Sequence, residues 1–389
     1  MLLTAFHCFT GSYTLERHPP PTPQQPLQAW DAADEYLLSA VAPLLQERPE
    51  ARVLIVNDQF GALAVALHAY QPQSWGDSFI ARRALTENLR RNAFPDTIPF
   101  LPSTTTPPGK NGGTSTVLPG YDAVLWRIPK SRAFFEQQRT ALQPLLHADT
   151  LLLAGGMVKH LTDRAKDVLG LLGSVAVYPV QKKAVLLRVT PEPNLPLPAI
   201  PETALSVPEY DLELTSGPNV FAHDKLDIGA RFFLEQFDQL PRARRLADLG
   251  CGNGILGIIA KRLQPGAELH FFDESYQAVA AAEENYYRNG LDAQEPTARF
   301  QVADGLTDYT GDAFDLVLCN PPFHQAHVIH DQTARHLFLQ SKRHLSRGGE
   351  LWVVGNRHLH YHIELRRVFG NCHQIAAHPK FVVLAAVKQ

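Results

Sequence analysis

The sequence predicts two tandem doubly wound α/β domains, and three observations carry that reading. Apolar strand-like runs alternate with longer helical patterns on both sides of a proline-rich segment. The second half carries a glycine-rich turn directly after an apolar run. The two halves also match in order, at a shift of roughly 193 to 200 residues.

In the first half the strand-like runs are Arg52–Val56, Gln73–Asp77, Tyr121–Trp126, Thr150–Ala154 and Ala184–Arg188. In the second they are Leu246–Leu249, Glu268–Asp273, Phe300–Ala303, Phe314–Cys319, Glu350–Gly355 and Phe381–Ala385. Between them lies Pro191-Glu-Pro-Asn-Leu-Pro-Leu-Pro-Ala-Ile-Pro201, where five prolines remove backbone donors and bar helix or central strand. The expected organisation is a domain at 1–190, an extended linker at 191–204 and a second domain at 205–389. Residues 18–26 and 102–120 read as surface loops. The correspondences are Gly61 with Gly254, Glu87-Asn88 with Glu284-Asn285, Tyr121-Asp122 with Phe314-Asp315, and Lys183 with Lys380. Together they point to an internal duplication.

With 389 residues and 45% hydrophobic content, the chain can bury two cores. Four scattered cysteines (Cys8, Cys251, Cys319, Cys372) form no Cys-x-x-Cys pair, which argues against a disulfide framework or a zinc site and fits a reducing cytosol. No apolar run has the length of a membrane helix, and residues 1–17 lack the pattern of a signal peptide. A soluble, cytoplasmic protein is expected. Net charge is −3, but it is unevenly spread. Residues 1–190 hold 18 Lys+Arg against 15 Asp+Glu; residues 191–389 hold 18 against 24. The stretch 120–190 is the most basic, with ten cations against five acids.

The chemistry-bearing residues lie in the second half. Asp248-Leu-Gly250-Cys-Gly252-Asn-Gly254 follows the first strand and opens a helix at Ile255. Glycines at such a turn let backbone pass close to a ligand and permit positive φ. A dinucleotide site wants Gly-x-Gly-x-x-Gly and a pyrophosphate. Here the spacing is Gly-x-Gly-x-Gly, with a carboxylate just before it. That arrangement suits a ligand with a cationic end and no phosphate, such as S-adenosylmethionine. Asp273 closes the next strand, 19 residues after Gly254, where a carboxylate can take ribose hydroxyls. Asp304 ends the third strand, where an adenine would lie.

Asn320-Pro321-Pro322-Phe323 follows the fourth strand, 66 residues after Gly254. An exocyclic amino group on an aromatic base is a poor nucleophile, because its lone pair is delocalised into the ring. The Asn320 side-chain oxygen and the Pro321 carbonyl can accept its two N–H hydrogens and aim the lone pair at a methyl donor. Two prolines stiffen the loop, keeping the acceptors fixed in advance. Phe323 offers a ring face for the base. Transfer then needs positioning, with neither a metal nor a covalent enzyme intermediate.

These motifs resemble those of the amino-nitrogen methyltransferases. Together with Leu27–Leu38, Asn57–Leu63, Leu226–Phe233, Asn320–His327 and Phe369–Cys372, they resemble the bacterial ribosomal RNA guanine-N2 methyltransferases, most of all the large-subunit (23S) enzymes. The resemblance covers nearly the whole chain. It implies two Rossmann-like methyltransferase domains, the N-terminal one degenerate, and S-adenosylmethionine as cofactor. It implies that Asp248, Gly250, Gly252, Gly254, Asp273, Asp304 and Asn320 line the cofactor site and that Asn320, Pro321, Pro322 and Phe323 hold guanine. It further implies ribosomal RNA as the partner. One departure is Phe221-Ala-His-Asp-Lys-Leu226, where the family shows Phe-Ser-Arg and a glycine; no contact is assigned to His223 or Lys225. The alternatives are the small-subunit (16S) enzyme, an adenine-N6 or protein glutamine-N5 methyltransferase, and a non-catalytic RNA-binding assembly factor.

In the first half the glycine motif is replaced by Ile55-Val-Asn-Asp-Gln-Phe-Gly61, and the Asn-Pro-Pro-Phe loop by Arg127-Ile-Pro-Lys130. That half is expected to bind RNA and no cofactor, with Arg127, Lys130, Arg132, Lys182 and Lys183 as the candidate phosphate contacts.

Overall fold

The computed structural model describes residues 4–21, 27–107, 120–160, 165–192, 194–196, 198, 204–221, 225–291, 298–321 and 327–389, without the side chains of 160 and 327–332. The chain divides into two compact units, Met1–Pro201 and Glu202–Gln389.

The first unit opens with an antiparallel hairpin, β1 (Ala5–Cys8) and β2 (Gly11–Thr14). Helix α1 (Ala32–Glu47) follows, started by a capping box between Asp31 and Asp34. Then come β3 (Val53–Val56), α2 (Ala62–Ala66), β4 (Gln73–Gly76), α3 (Phe79–Arg91), β5 (Phe100–Pro102), β6 (Ala123–Arg127), α4 (Arg132–Leu142), β7 (Leu151–Met157), α5 (Ala165–Gly170), β8 (Gly173–Val177) and β9 (Ala184–Pro191).

The second unit repeats this plan. Hairpin β10 (Ala204–Val207) and β11 (Leu212–Thr215) leads to α6 (Ile228–Leu234), β12 (Arg245–Leu249), α7 (Ile255–Leu263), β13 (Glu268–Asp273), α8 (Tyr276–Arg288) and β14 (Arg299–Val302). β15 (Phe314–Cys319), α9 (His327–His344), β16 (Leu345–Asn356), α10 (Tyr361–Phe369), β17 (His373–Ala377) and β18 (Phe381–Val387) complete it.

The two sheets have the same order, β5-β4-β3-β6-β7-β9-β8 and β14-β13-β12-β15-β16-β18-β17. The first five strands of each are parallel; the last two join antiparallel. β3 is a continuous apolar run, Val-Leu-Ile-Val, because helices cover both its faces. Alternate residues feed opposite layers: Val53 and Ile55 pack in one, Leu54 and Val56 in the other. Leu246 and Ala247 in β12 divide in the same way.

Buried polar groups are repeated too. Asn88 is fully buried on α3; its side chain accepts from Glu16 N–H and donates to the Glu16 and Phe60 carbonyls. Asn285 on α8 does the same with Thr215 and Asn253. Each asparagine satisfies backbone groups that burial would otherwise leave unpaired. Asp122 accepts from Arg52 N–H, and Asp315 from Arg245 N–H. The Arg52 guanidinium lies over the Tyr121 ring and that of Arg245 over Phe314. Gly61 and Gly254 both have φ near +80°, and a Cβ at either would strike the facing helix, at Leu85 or Ala282.

The structure adds elements that the sequence did not announce: both hairpins, β5, β8 and β17. β9 also runs through Pro191, and β10 begins at Ala204. No helix among the described residues is long and apolar enough to cross a membrane.

Candidate active site

The site gathers at the carboxyl ends of β12, β13, β14 and β15, where an open α/β sheet presents its loops. β12 ends in the Asp248–Gly254 turn. Gly250 and Gly252 have φ of +76° and +54°, the left-handed region that favours glycine. Among the described residues, a Cβ built at Gly252 meets nothing within 4 Å, and one at Gly250 meets only the Asn320 carbonyl, at 3.9 Å. The turn therefore faces space that no described residue fills, and it borders the Asn320 backbone. Gly254 is different. Its missing side chain makes room for α8, so packing also requires glycine there.

Asp248 is fully buried. One carboxylate oxygen accepts from Gly257 N–H at 2.8 Å; the other is buried without a partner among the described residues. Burial pushes this carboxyl up to about 8 against the pull of the Gly257 hydrogen bond, and the nearby Asp273 charge adds to the rise. Asp273 accepts from Gly252 N–H and Ser275 N–H, both at 3.0 Å, which ties the glycine turn to the start of α8. Carboxylate oxygens accept more than one hydrogen bond each, so these amides are compatible with ribose hydroxyls at the same group. Asp304 is buried beyond the end of β14. Thr307 donates to its carboxylate at 3.3 Å, and His336 on α9 lies 3.7 Å from it. Gln340, also on α9, accepts from Leu306 N–H and donates to the Asp304 carbonyl. Sequence reasoning missed His336 and Gln340, since nothing in their spacing ties α9 to the β14 loop.

Asn320 follows β15 directly. Its side-chain oxygen is buried and has no hydrogen-bond partner among the described residues. Leaving such an acceptor unmade costs about 1–3 kcal/mol, so a ligand N–H placed there would be favourable. Pro321 is buried beside it; Pro322 and Phe323 lie outside the described residues, as does His223. An open glycine cradle and two orphaned buried acceptors fit S-adenosylmethionine with an amine beside it. Among the described residues no cluster of three or more His, Cys, Asp or Glu could hold a metal. All four cysteines are free thiols, and burial raises those of Cys251 and Cys319 well above the ordinary range.

The corresponding corner of the first unit is filled. Asn57 stands in the place of Gly250 at φ +62°, and its amide donates to the Arg127 carbonyl and to Gln138. Asp58 is buried and accepts from Gly61 N–H and Ala64 N–H. Arg127, expected to face RNA, turns inward instead. Its guanidinium pairs with Asp31 at 2.6 Å and Asp34 at 3.1 Å, and its side chain is 15% exposed. Burial lowers the pKa of that guanidinium, but Asp34, Asp31 and Asp58 outweigh it and hold the charge firmly. Lys130, Arg132, Lys182 and Lys183 are exposed, though Arg132 pairs with Glu136 and Lys182 with Glu35.

Comparison with known proteins agrees with both halves. The family described as "Methyltransferase small domain" matches residues 211–385, and "RLMG N-terminal domain" matches residues 3–193. A Stutzerimonas stutzeri protein named ribosomal RNA large subunit methyltransferase G is 45% identical over 95% of this chain and 96% of its own. A Streptomyces griseus protein of the same name is 42% identical over the full length of both. Among solved structures, a T. thermophilus 16S rRNA N2 methyltransferase in complex with AdoMet and guanosine covers 99% of this chain and 98% of its own. At 22% identity and a TM-score of 0.73 it shows a common fold. Matched along nearly its whole length, in a degenerate first half as well as in the second, the chain belongs to the ribosomal RNA large subunit methyltransferase G family.

Proposed function

We propose that residues 205–389 transfer the methyl group of S-adenosylmethionine to the exocyclic N2 of a guanine in 23S ribosomal RNA. The observation that carries this reading is the buried, unpartnered Asn320 oxygen beside the open glycine turn. The names of relatives that are 42–45% identical support the substrate.

S-adenosylmethionine, when bound, supplies a methyl group on a cationic sulfur. Asp248, Gly250, Gly252, Gly254, Asp273 and Asp304 hold it, with the ribose at Asp273 and the adenine near Asp304. Asn320 Oδ1 and the Pro321 carbonyl each accept one N–H of the guanine amine. That draws the nitrogen toward a tetrahedral shape and points its lone pair at the methyl. The two prolines keep both acceptors in place, and Phe323 stacks on the base. Residues 1–190 hold RNA and no cofactor, through Lys130, Arg132, Lys182 and Lys183. Arg127 does not belong to that set, because its charge is spent inside the fold.

The test is transfer of labelled methyl groups to 23S and 16S rRNA from a strain lacking the gene, mapped by mass spectrometry. Label in an N2-methylguanine of 23S rRNA is expected. Label in 16S rRNA, in adenine or in protein would replace this reading.

A further inference from the structure

A second cationic feature lies in the catalytic unit, apart from the glycine turn and Asn320. It is a groove of about 500 Å³ between α10 and the strands β17 and β18, lined by Arg357, His358, His360, His362, Arg366 and Gln374 among others. No carboxylate among the described residues lines it. Among the described residues neither Arg357 nor Arg366 has an ion-pair partner, whereas Arg367 on the same helix is held by Glu364 at 2.5 Å. This half of the chain is acidic overall, with 18 Lys+Arg against 24 Asp+Glu, so the groove runs against its surroundings.

Its position ties it to the reaction. Cys319 pairs with Val353 in the parallel register of β15 and β16, which sets Asn320 level with Val354. Arg357 comes three residues later, opening the 3₁₀ turn just past the end of β16, about 10 Å farther along at ~3.3 Å per residue. Although Lys166 on α5 stands where Arg366 does, the first unit differs at the place of Arg357. There the Val158 amide donates to the Lys183 carbonyl just as the Arg357 amide donates to that of Lys380, and Val158 is an exposed apolar residue.

We infer that this groove binds the phosphodiester backbone of the RNA strand that carries the target base. Planar guanidinium groups match phosphate oxygens bidentately, and imidazoles add N–H donors beside them. The inference rests on the RNA substrate proposed above and names where its backbone is held.

The test compares the full-length wild type with R357Q/R366Q, and with R367Q as a control off the groove. Three quantities are measured: S-adenosylmethionine affinity, KM and kcat on protein-free 23S rRNA, and the salt dependence of RNA binding. Removing two phosphate-binding cations should raise KM by about tenfold and lower the log–log salt slope by about 1 to 2. Cofactor affinity and kcat at saturating RNA should stay within about twofold, as should every value for R367Q. An unchanged KM and salt slope, with cofactor binding intact, overturns the inference. Should the double variant lose cofactor binding, R357Q and R366Q are read singly, each with a slope lower by about 1. A wild type that methylates no RNA, yet binds it with a steeper slope than the double variant, sinks the substrate reading and leaves the groove standing. Normal transfer with identical slopes does the reverse.

Discussion

The two units keep the same skeleton and differ where a ligand would touch. Residues that hold backbone in place recur in both: Gly61 and Gly254 under the facing helix, Asn88 and Asn285 across the hairpin, Asp122 and Asp315 on the strand start. Around the glycine turn the residue identities change, even where the backbone keeps its left-handed φ, as at Asn57 and Gly250. Where the second unit has Asp248, Gly250, Gly252, Asp273, Asp304 and Asn320, strand register puts Ile55, Asn57, Gln59, Gly76, Thr104 and Arg127 in the first. The vacated space is closed by Asn57, Asp58 and the Arg127 ion pairs rather than left empty. A surviving glycine is thus no sign of a surviving site. Gly61 remains because a Cβ there would come within 2.8 Å of the Leu85 backbone.

Equivalent substitutions in the two corners should separate chemistry from stability. Asn320→Ala should lower turnover by about 10² or more while cofactor affinity stays within a few fold, since the missing acceptor works on the reacting amine. Arg127→Ala, at the matching place, should destabilise the first unit by roughly 3–5 kcal/mol, the cost of uncovering paired buried charges, and leave kcat of the folded fraction intact. Calorimetry, melting curves and a transfer assay read both. Equal losses of kcat would erase the distinction between the corners. Asp273→Ala follows in size: S-adenosylmethionine should bind about 1.5–3 kcal/mol more weakly. An unchanged dissociation constant would place the ribose elsewhere.

Asp248 sharpens the comparison through pH. Two buried carboxylates of the first unit, Asp34 and Asp58, have Arg127 beside them, while Asp248 has no cation among the described residues, and burial lifts it to about 8 from 3.8. Between those values the ligand-free folded unit binds more protons than the unfolded chain. Its contribution to stability is therefore complete below about pH 4 and is lost as pH rises toward 8. Asp248→Asn should flatten the melting temperature over that window. A parallel decline in the variant would assign the pH dependence to other groups.

Much of this was legible in the sequence, for physical reasons. Central parallel strands such as Val53–Val56 and Phe314–Cys319 are buried on both faces and announce themselves as apolar runs. The glycine turn and the Asn320 loop are local in sequence, so their spacing gave their place. Edge strands were missed because one or both faces meet water: β8 reads Gly-Ser-Val-Ala-Val and β17 His-Gln-Ile-Ala-Ala, with little alternation. Arg127 was misjudged because its partners, Asp31 and Asp34, lie more than ninety residues away. At Gly254 ligand contact and helix packing ask for the same residue, so its spacing alone does not separate the two.

The smallest expected effect concerns the tip of the β8–β9 hairpin. Lys182 and Lys183 form its two-residue turn, closed by Gln181 and Ala184, with φ of +46° and +65°. Such turns favour Asn-Gly, because side chains crowd the backbone in the left-handed region. At the matching tip of the second unit, His378 to Phe381, no residue has a positive φ. The first unit thus holds two lysines in a conformation that other residues adopt more easily, and strained positions of this kind gather at functional sites. The Lys182 contact to Glu35 is an exposed pair, worth little to the fold. Replacing the pair by Lys182→Asn and Lys183→Gly should raise the stability of this unit by about 0.5–1 kcal/mol. If these lysines meet phosphates, the same change should weaken rRNA binding and lower its salt slope by about 0.9 for each phosphate no longer neutralised. A gain in melting temperature with RNA affinity unchanged would show that the turn serves folding alone, and would move RNA binding by this half to Lys130 and Arg132.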